Sequence, residues 1–116
     1  MNKEKIFKAL VHKFGVENQL IVAIEELSEL QKELCKSLRK EENKANICEE
    51  IADVEIMLEQ IKLLFDIADV VEMEKTQKIK RTAERYLNFK SIAYKKKKDN
   101  FEDCLGISLD DYDMYI

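Results

Sequence analysis

No proline interrupts this chain of 116 residues, and only two glycines do, Gly15 and Gly106. Tight hairpin turns draw on glycine, proline and asparagine for backbone angles that other residues resist. A chain with so few breakers cannot supply the many turns of a β-sandwich or barrel. Nor can two isolated glycines form the phosphate-cradling loops of a Walker or Rossmann signature. Long helices with short connections remain, and an apolar fraction of 46% is enough to give them a core. The length is that of one domain, with no room for two independent cores.

The apolar residues recur at helical spacing. Ile6, Leu10 and Phe14, with Phe7 and Val11 beside them, predict a first helix over about 2–14, closed by Gly15 as a C-cap. Leu20, Ile24, Leu27, Leu34 and Leu38, flanked by Leu30, make the core stripe expected of a second helix over 16–40. Lys36, Arg39 and Lys40 in its last turn suit the negative end of a helix dipole. The polar stretch 41–46 reads as a loop, with Asn46 and Glu49 as a capping-box start for a third helix. That helix runs to about Phe65 on a stripe of Ile47, Ile51, Val54, Leu58, Ile61 and Phe65, with Ile56 and Leu63 roughly opposite. Residues 66–69 read as a connection, Asp69 with Glu72 as a second cap, and a fourth helix extends from about Val70 to between Asn88 and Lys95. The expected fold is an all-α helical bundle. A single copy makes a thin bundle, so covering the outer apolar positions calls for a second copy. The helical domain is expected over 1–95, followed by an acidic tail of unassigned role over 96–116.

The formal net charge of −4 is unevenly spread. Residues 1–74 carry 10 basic and 17 acidic side chains, residues 75–98 carry 10 basic ones against Glu84 alone, and residues 99–116 carry six acids and no base. The basic block, which includes Lys95–Lys98 with Tyr86, Phe89 and Tyr94 nearby, could attract phosphates, nucleic acid or the chain's own acids. The net-acidic remainder argues against nucleic acid. Cys35, Cys48 and Cys104 form no C-x-x-C pair, so neither a disulfide framework nor a thiolate zinc site is expected. Cys35 and Cys48 read as small core or interface residues, and His12, the single histidine, as a surface or packing residue. The N-terminus is charged throughout, and the longest apolar run, Leu20–Ile24, is far short of a membrane span. A cytoplasmic protein without membrane contact is expected.

Two acidic clusters stand out: Glu25, Glu26 and Glu29 in one helix, Glu49, Glu50 and Asp53 in the next. Carboxylates three apart share a helix face, which pairs Glu26 with Glu29 and Glu50 with Asp53. A lone E-x-x-E among 24 acids is ordinary surface. Here the first pair shares its side with Val22 and Leu30, and the second with Met57 and Leu64, so both are expected at the wall of the core. Mutual repulsion and burial should raise several of their pKa values, and something cationic should neutralise them. Oxygen ligands without histidine point to Mg²⁺ or Mn²⁺. A di-iron site needs Glu-x-x-His pairs, which His12 cannot supply. Basic partners from the fourth helix, making buried ion pairs in a non-catalytic interaction module, are the alternative.

The chain resembles the MazG-like nucleotide pyrophosphohydrolases, the all-α NTP pyrophosphatases, whose signature is E-x-x-E followed after a gap by E-x-x-D. Glu26-x-x-Glu29 and Glu50-x-x-Asp53 match it across twenty intervening residues. The flanking strings KFGVENQLIVAIEELSELQKEL and EEIADVEIMLEQIK fit as well, and EKTQKIKRTAERYLN resembles the basic helix that closes such domains. The similarity spans roughly residues 13–88. It implies an all-α bundle that assembles as a homodimer or homotetramer, and a Mg²⁺-dependent enzyme that hydrolyses a nucleoside triphosphate to the monophosphate and pyrophosphate. By position, Glu26, Glu29, Glu50 and Asp53 would be the metal ligands. Glu25 or Glu29 would serve as general base, and Lys78, Arg81 and Arg85 would hold phosphate oxygens. Several carboxylates are needed because each Mg²⁺ keeps some waters and takes few protein ligands. Tryptophan is absent, so stacking on a base would fall to Phe, Tyr or His, and the base preferred stays open.

Overall fold

The computed structural model describes residues 1–87, and over these the chain is all-helical. The order is α1 (Lys3–Phe14), α2 (Val16–Leu38), α3 (Lys44–Phe65) and α4 (Ala68–Tyr86). The chain divides into two units, Met1–Ala68 and Asp69–Ile116. The first holds α1 to α3 and the second nearly all of α4. The boundary expected between 95 and 96, the lysine run 95–98, Cys104 and the acidic tail lie outside the described residues.

Local chemistry sets the helix ends. Asn2 caps α1, its side-chain oxygen accepting from the Lys5 backbone N–H at 3.0 Å. Gly15 ends α1 and begins α2 as the only residue between them, its N–H donating to the Val11 carbonyl at 2.8 Å. It lies at φ 89°, ψ 155°, a conformation essentially reserved for glycine. A methyl group added there would meet nothing within 4 Å, so the constraint is the backbone alone. Gly15→Ala is therefore expected to cost about 1–3 kcal/mol. Thermal melting by circular dichroism checks this, and an unchanged melting temperature would contradict it.

Elsewhere the left-handed turns that commonly end helices fall to non-glycine residues. Lys40 (φ 65°) follows α2 and Asp66 (φ 53°) follows α3. In each case the next N–H reaches back to a helix carbonyl, Glu41 to Lys36 at 3.2 Å and Ile67 to Lys62 at 3.0 Å. These closures shift the expected boundaries. α2 stops at Leu38 instead of Lys40, and α3 starts at Lys44. Asn46 is therefore inside α3 and Asn43 takes the N-cap position. The Asn43 side chain does not cap. It turns back to α2 and donates to the Glu33 carbonyl at 2.8 Å. Asp69 likewise lies in the first turn of α4, where its charge suits the helix dipole, and α4 ends at Tyr86, before Asn88.

α2 and α3 form an antiparallel hairpin closed by residues 39–43. α3 packs on both α2 and α1, and α1 also touches α2. The seam differs from the expected leucine stripe. Ala23, Val54 and Met57 are its buried apolar residues, and they are joined by buried Gln19, Glu33, Asn43 and Gln60. Ile24, Leu27, Leu34 and Leu38 are 48–82% exposed, and Ile51, Leu58 and Phe65 on α3 are 40–51% exposed. The reason is rotational: the residues that face α3 run Gln19, Ala23, Glu26, Leu30, Glu33, Ser37, a seven-residue repeat about a quarter-turn from the leucines. By helical periodicity both exposed stripes fall on one side of the hairpin, with Glu29 and Asp53 on the other. Cys35 and Cys48 are exposed, so neither is a core residue.

Candidate functional site

The hairpin brings together the two acidic motifs from opposite strands of sequence. One carboxylate oxygen each from Glu26, Glu50 and Asp53 lie within 4.8 Å of one another. Glu26 and Glu50 are half-buried in the seam and Asp53 is exposed at its edge. Val22, Leu30 and Leu64 are half-buried and Met57 is buried; of the four carboxylates expected at the wall of the core, Glu26 and Glu50 are half-buried, while Glu29 and Asp53 are exposed. No salt bridge among the described residues involves any of the three.

The electrostatics follow from this crowding. Burial raises the Glu26 carboxyl above its ordinary value, and the charges of Asp53, Glu50 and Glu29 push it further. Burial also raises Glu50, with Asp53, Glu29, Glu33 and Glu49 adding to it. A carboxyl held up by neighbouring carboxylates is one that a cation relieves.

Glu29 is exposed and stands outside the group of three, though its charge is felt by both Glu26 and Glu50. Glu25 is exposed on the same helix and Glu49 on α3. His12 is exposed on α1. In the second unit, Lys78, Arg81 and Arg85 are exposed on α4, and with Thr82 and Tyr86 they line one concave surface. They stand three and four residues apart, one side of the helix, and the Arg85 guanidinium lies 5.9 Å from the Tyr86 ring centroid. None of the three cations is paired with a carboxylate among the described residues.

Sequence reasoning passed over Glu33. It is 5% exposed, and its carboxylate accepts from Asn43 Nδ2 at 3.3 Å and pairs with Lys36 Nζ at 3.3 Å. Burial alone would raise it, but the amides of Asn43 and Asn46 and the Lys36 ammonium outweigh burial and hold it below the ordinary value. The signal was present in the spacing, since Gln19, Glu26 and Glu33 are seven apart, but an amphipathic reading built on the leucines hides it.

The donor set is all carboxylate oxygen, with no histidine or cysteine in the group, which fits a hard divalent cation of the Mg²⁺ or Mn²⁺ kind. Among the described residues no helix is long and apolar enough to cross a membrane. No family model, no curated protein and no solved structure matches this chain.

Proposed function

We propose that this chain is a Mg²⁺-dependent nucleoside triphosphate pyrophosphohydrolase of the MazG-like kind, releasing pyrophosphate and a (d)NMP. The observation that carries the reading is the convergence of Glu26, Glu50 and Asp53 from two motifs twenty residues apart in sequence, with none of the three in a salt bridge among the described residues. Glu26, Glu50 and Asp53 would hold the metal, with Glu29 completing the set as the resemblance implies. A bound divalent ion would neutralise phosphate charge and lower the pKa of a coordinated water.

The chain's own residues supply the remainder. Glu29 is solvent-accessible one turn along α2 from Glu26, which suits a carboxylate that accepts a proton from an attacking water. Glu25, also exposed, is the other candidate for that role. The phosphate-holding role of Lys78, Arg81 and Arg85 rests on their chemistry, three cations along one side of a helix with no carboxylate partner among the described residues, and on the resemblance.

A second copy is part of this reading. Among the described residues no large apolar side chain is fully buried, while the leucine side of α2 and the matching stripe of α3 are open. That face is about 30 Å long and two helices wide. A second copy of the same face would cover it.

A screen of purified protein against the common (d)NTPs with Mg²⁺, separating pyrophosphate from orthophosphate, tests enzyme status, cleavage position and substrate class together. Pyrophosphate release in equal amount with the monophosphate is expected for at least one nucleotide. Orthophosphate alone, or no turnover across the panel, would overturn the reading.

A further inference from the structure

Three polar layers cross the α2–α3 seam at seven-residue intervals. In the first, Gln19 Nε2 donates to Gln60 Oε1 at 2.7 Å, and both residues are buried. In the middle one, Glu26 faces Asp53 and Glu50. In the third, Glu33 accepts from Asn43 Nδ2 at 3.3 Å, while Ser37 Oγ donates to Asn43 Oδ1 at 3.0 Å. The outer layers are satisfied, since no buried side-chain nitrogen or oxygen among the described residues lacks a partner. The middle layer sets carboxylate against carboxylate.

Gln60 is 3% exposed and Gln19 6%, lower than Val54 at 7%, while Leu38 on the stripe next to this seam is 82% exposed. Apolar burial by itself would turn the leucines toward α3. Dehydrated amides instead need each other, because an unpaired buried amide loses its water bonds without replacement. Buried polar pairs of this kind fix helix alignment at a cost in stability.

We infer that Gln19–Gln60 and Glu33–Asn43 are positioning pairs that set the rotation of α2 on α3 and thereby aim Glu26, Glu50 and Asp53 at one another. The pairs bracket the carboxylates two turns to either side, and leucine packing would otherwise carry Glu26 out of the seam. The inference rests on the metal reading only where metal affinity is measured.

The test uses the full chain with Gln19→Met and Gln60→Met together, which keep length and remove the hydrogen bond, and with Gln19→Leu and Gln60→Leu as a second variant. Methyl NMR reports which α2 residues lie against Val54 and Met57, and Mn²⁺ titration followed by electron paramagnetic resonance reports the carboxylates. Expected are a melting temperature equal to or above the parent's, contacts to Val54 and Met57 moving from Ala23 to Leu20 and Leu27, and at least a tenfold loss of Mn²⁺ affinity. Unchanged Ala23 contacts in a folded variant would overturn the inference. Failure of both variants to fold would also overturn it, because the pair would then supply stability and not register. If the parent chain binds no Mn²⁺, the metal reading fails, and the methyl contacts still decide the positioning claim.

Discussion

Asp53→Asn is expected to cut Mg²⁺-dependent (d)NTP hydrolysis by about a hundredfold or more while helix content stays at the parent level. Asparagine keeps the shape of the side chain and removes one charge from the group of three. Asp53 is exposed, so nothing in the seam collapses when it changes. Its charge is also the largest electrostatic contribution to the raised Glu26 carboxyl after burial. Removing it relieves Glu26, and the metal-free variant should melt at or slightly above the parent temperature. That combination, activity lost with stability kept or gained, separates a ligand from a structural residue, whose loss would lower both. Glu17→Gln, which removes an exposed acid from the first turn of α2, is the matched control and should leave hydrolysis intact. Undiminished turnover in the Asp53→Asn protein would place the chemistry elsewhere.

The elements were largely legible, because three runs of apolar residues at intervals of three and four, in a chain without proline, favour helices over any other regular structure, and the fourth helix follows a capping signal at Asp69 and Glu72. What spacing could not resolve was which side of α2 meets α3. Leu20, Ile24, Leu27, Leu34 and Leu38 form the stronger apolar stripe, and a hydrophobic count selects them. The helix instead turns Gln19, Ala23, Glu26 and Glu33 to its neighbour. The choice depends on pairings across residues 41 apart, such as Gln19 with Gln60, which no local pattern contains. The ends were misread for a related reason. Asn46 has the right neighbour for a capping box, yet left-handed Lys40 closes α2 early and Asn43 is drawn to Glu33, so α3 begins before Asn46. The acidic motifs were legible as motifs. That Asp53 joins Glu26 and Glu50 while Glu29 stands outside the group follows from the rotation of the hairpin, which needs coordinates.

The melting temperature of the metal-free protein is expected to pass through a maximum on the acid side of neutrality, and Mg²⁺ is expected to erase the difference by stabilising the protein at neutral pH. Glu26 and Glu50 have folded-state values above the unfolded ones, so the folded state binds their protons more readily. Their deprotonation costs stability at neutral pH, and that cost is relieved as pH falls through the raised values. Glu33 acts in the opposite sense. Its lowered value contributes stability above the ordinary carboxylate range, and this is lost as pH falls through the depressed value. The maximum therefore lies between the raised pair and the depressed Glu33. A divalent ion competes with the protons on Glu26 and Glu50, so its effect should be largest at neutral pH and fade toward the maximum. At a free concentration a hundredfold above its dissociation constant it adds about 2.7 kcal/mol. For a chain of this size that is a shift on the order of 10 °C. Glu26→Gln should raise the neutral melting temperature without metal, flatten the acid maximum and shrink the Mg²⁺ shift together, because Glu26 contributes to all three. Differential scanning calorimetry across pH, with and without Mg²⁺, reads each. A melting temperature that only falls from neutral to acid would refute the raised pair. One indifferent to Mg²⁺ at every pH would remove the metal from Glu26, Glu50 and Asp53.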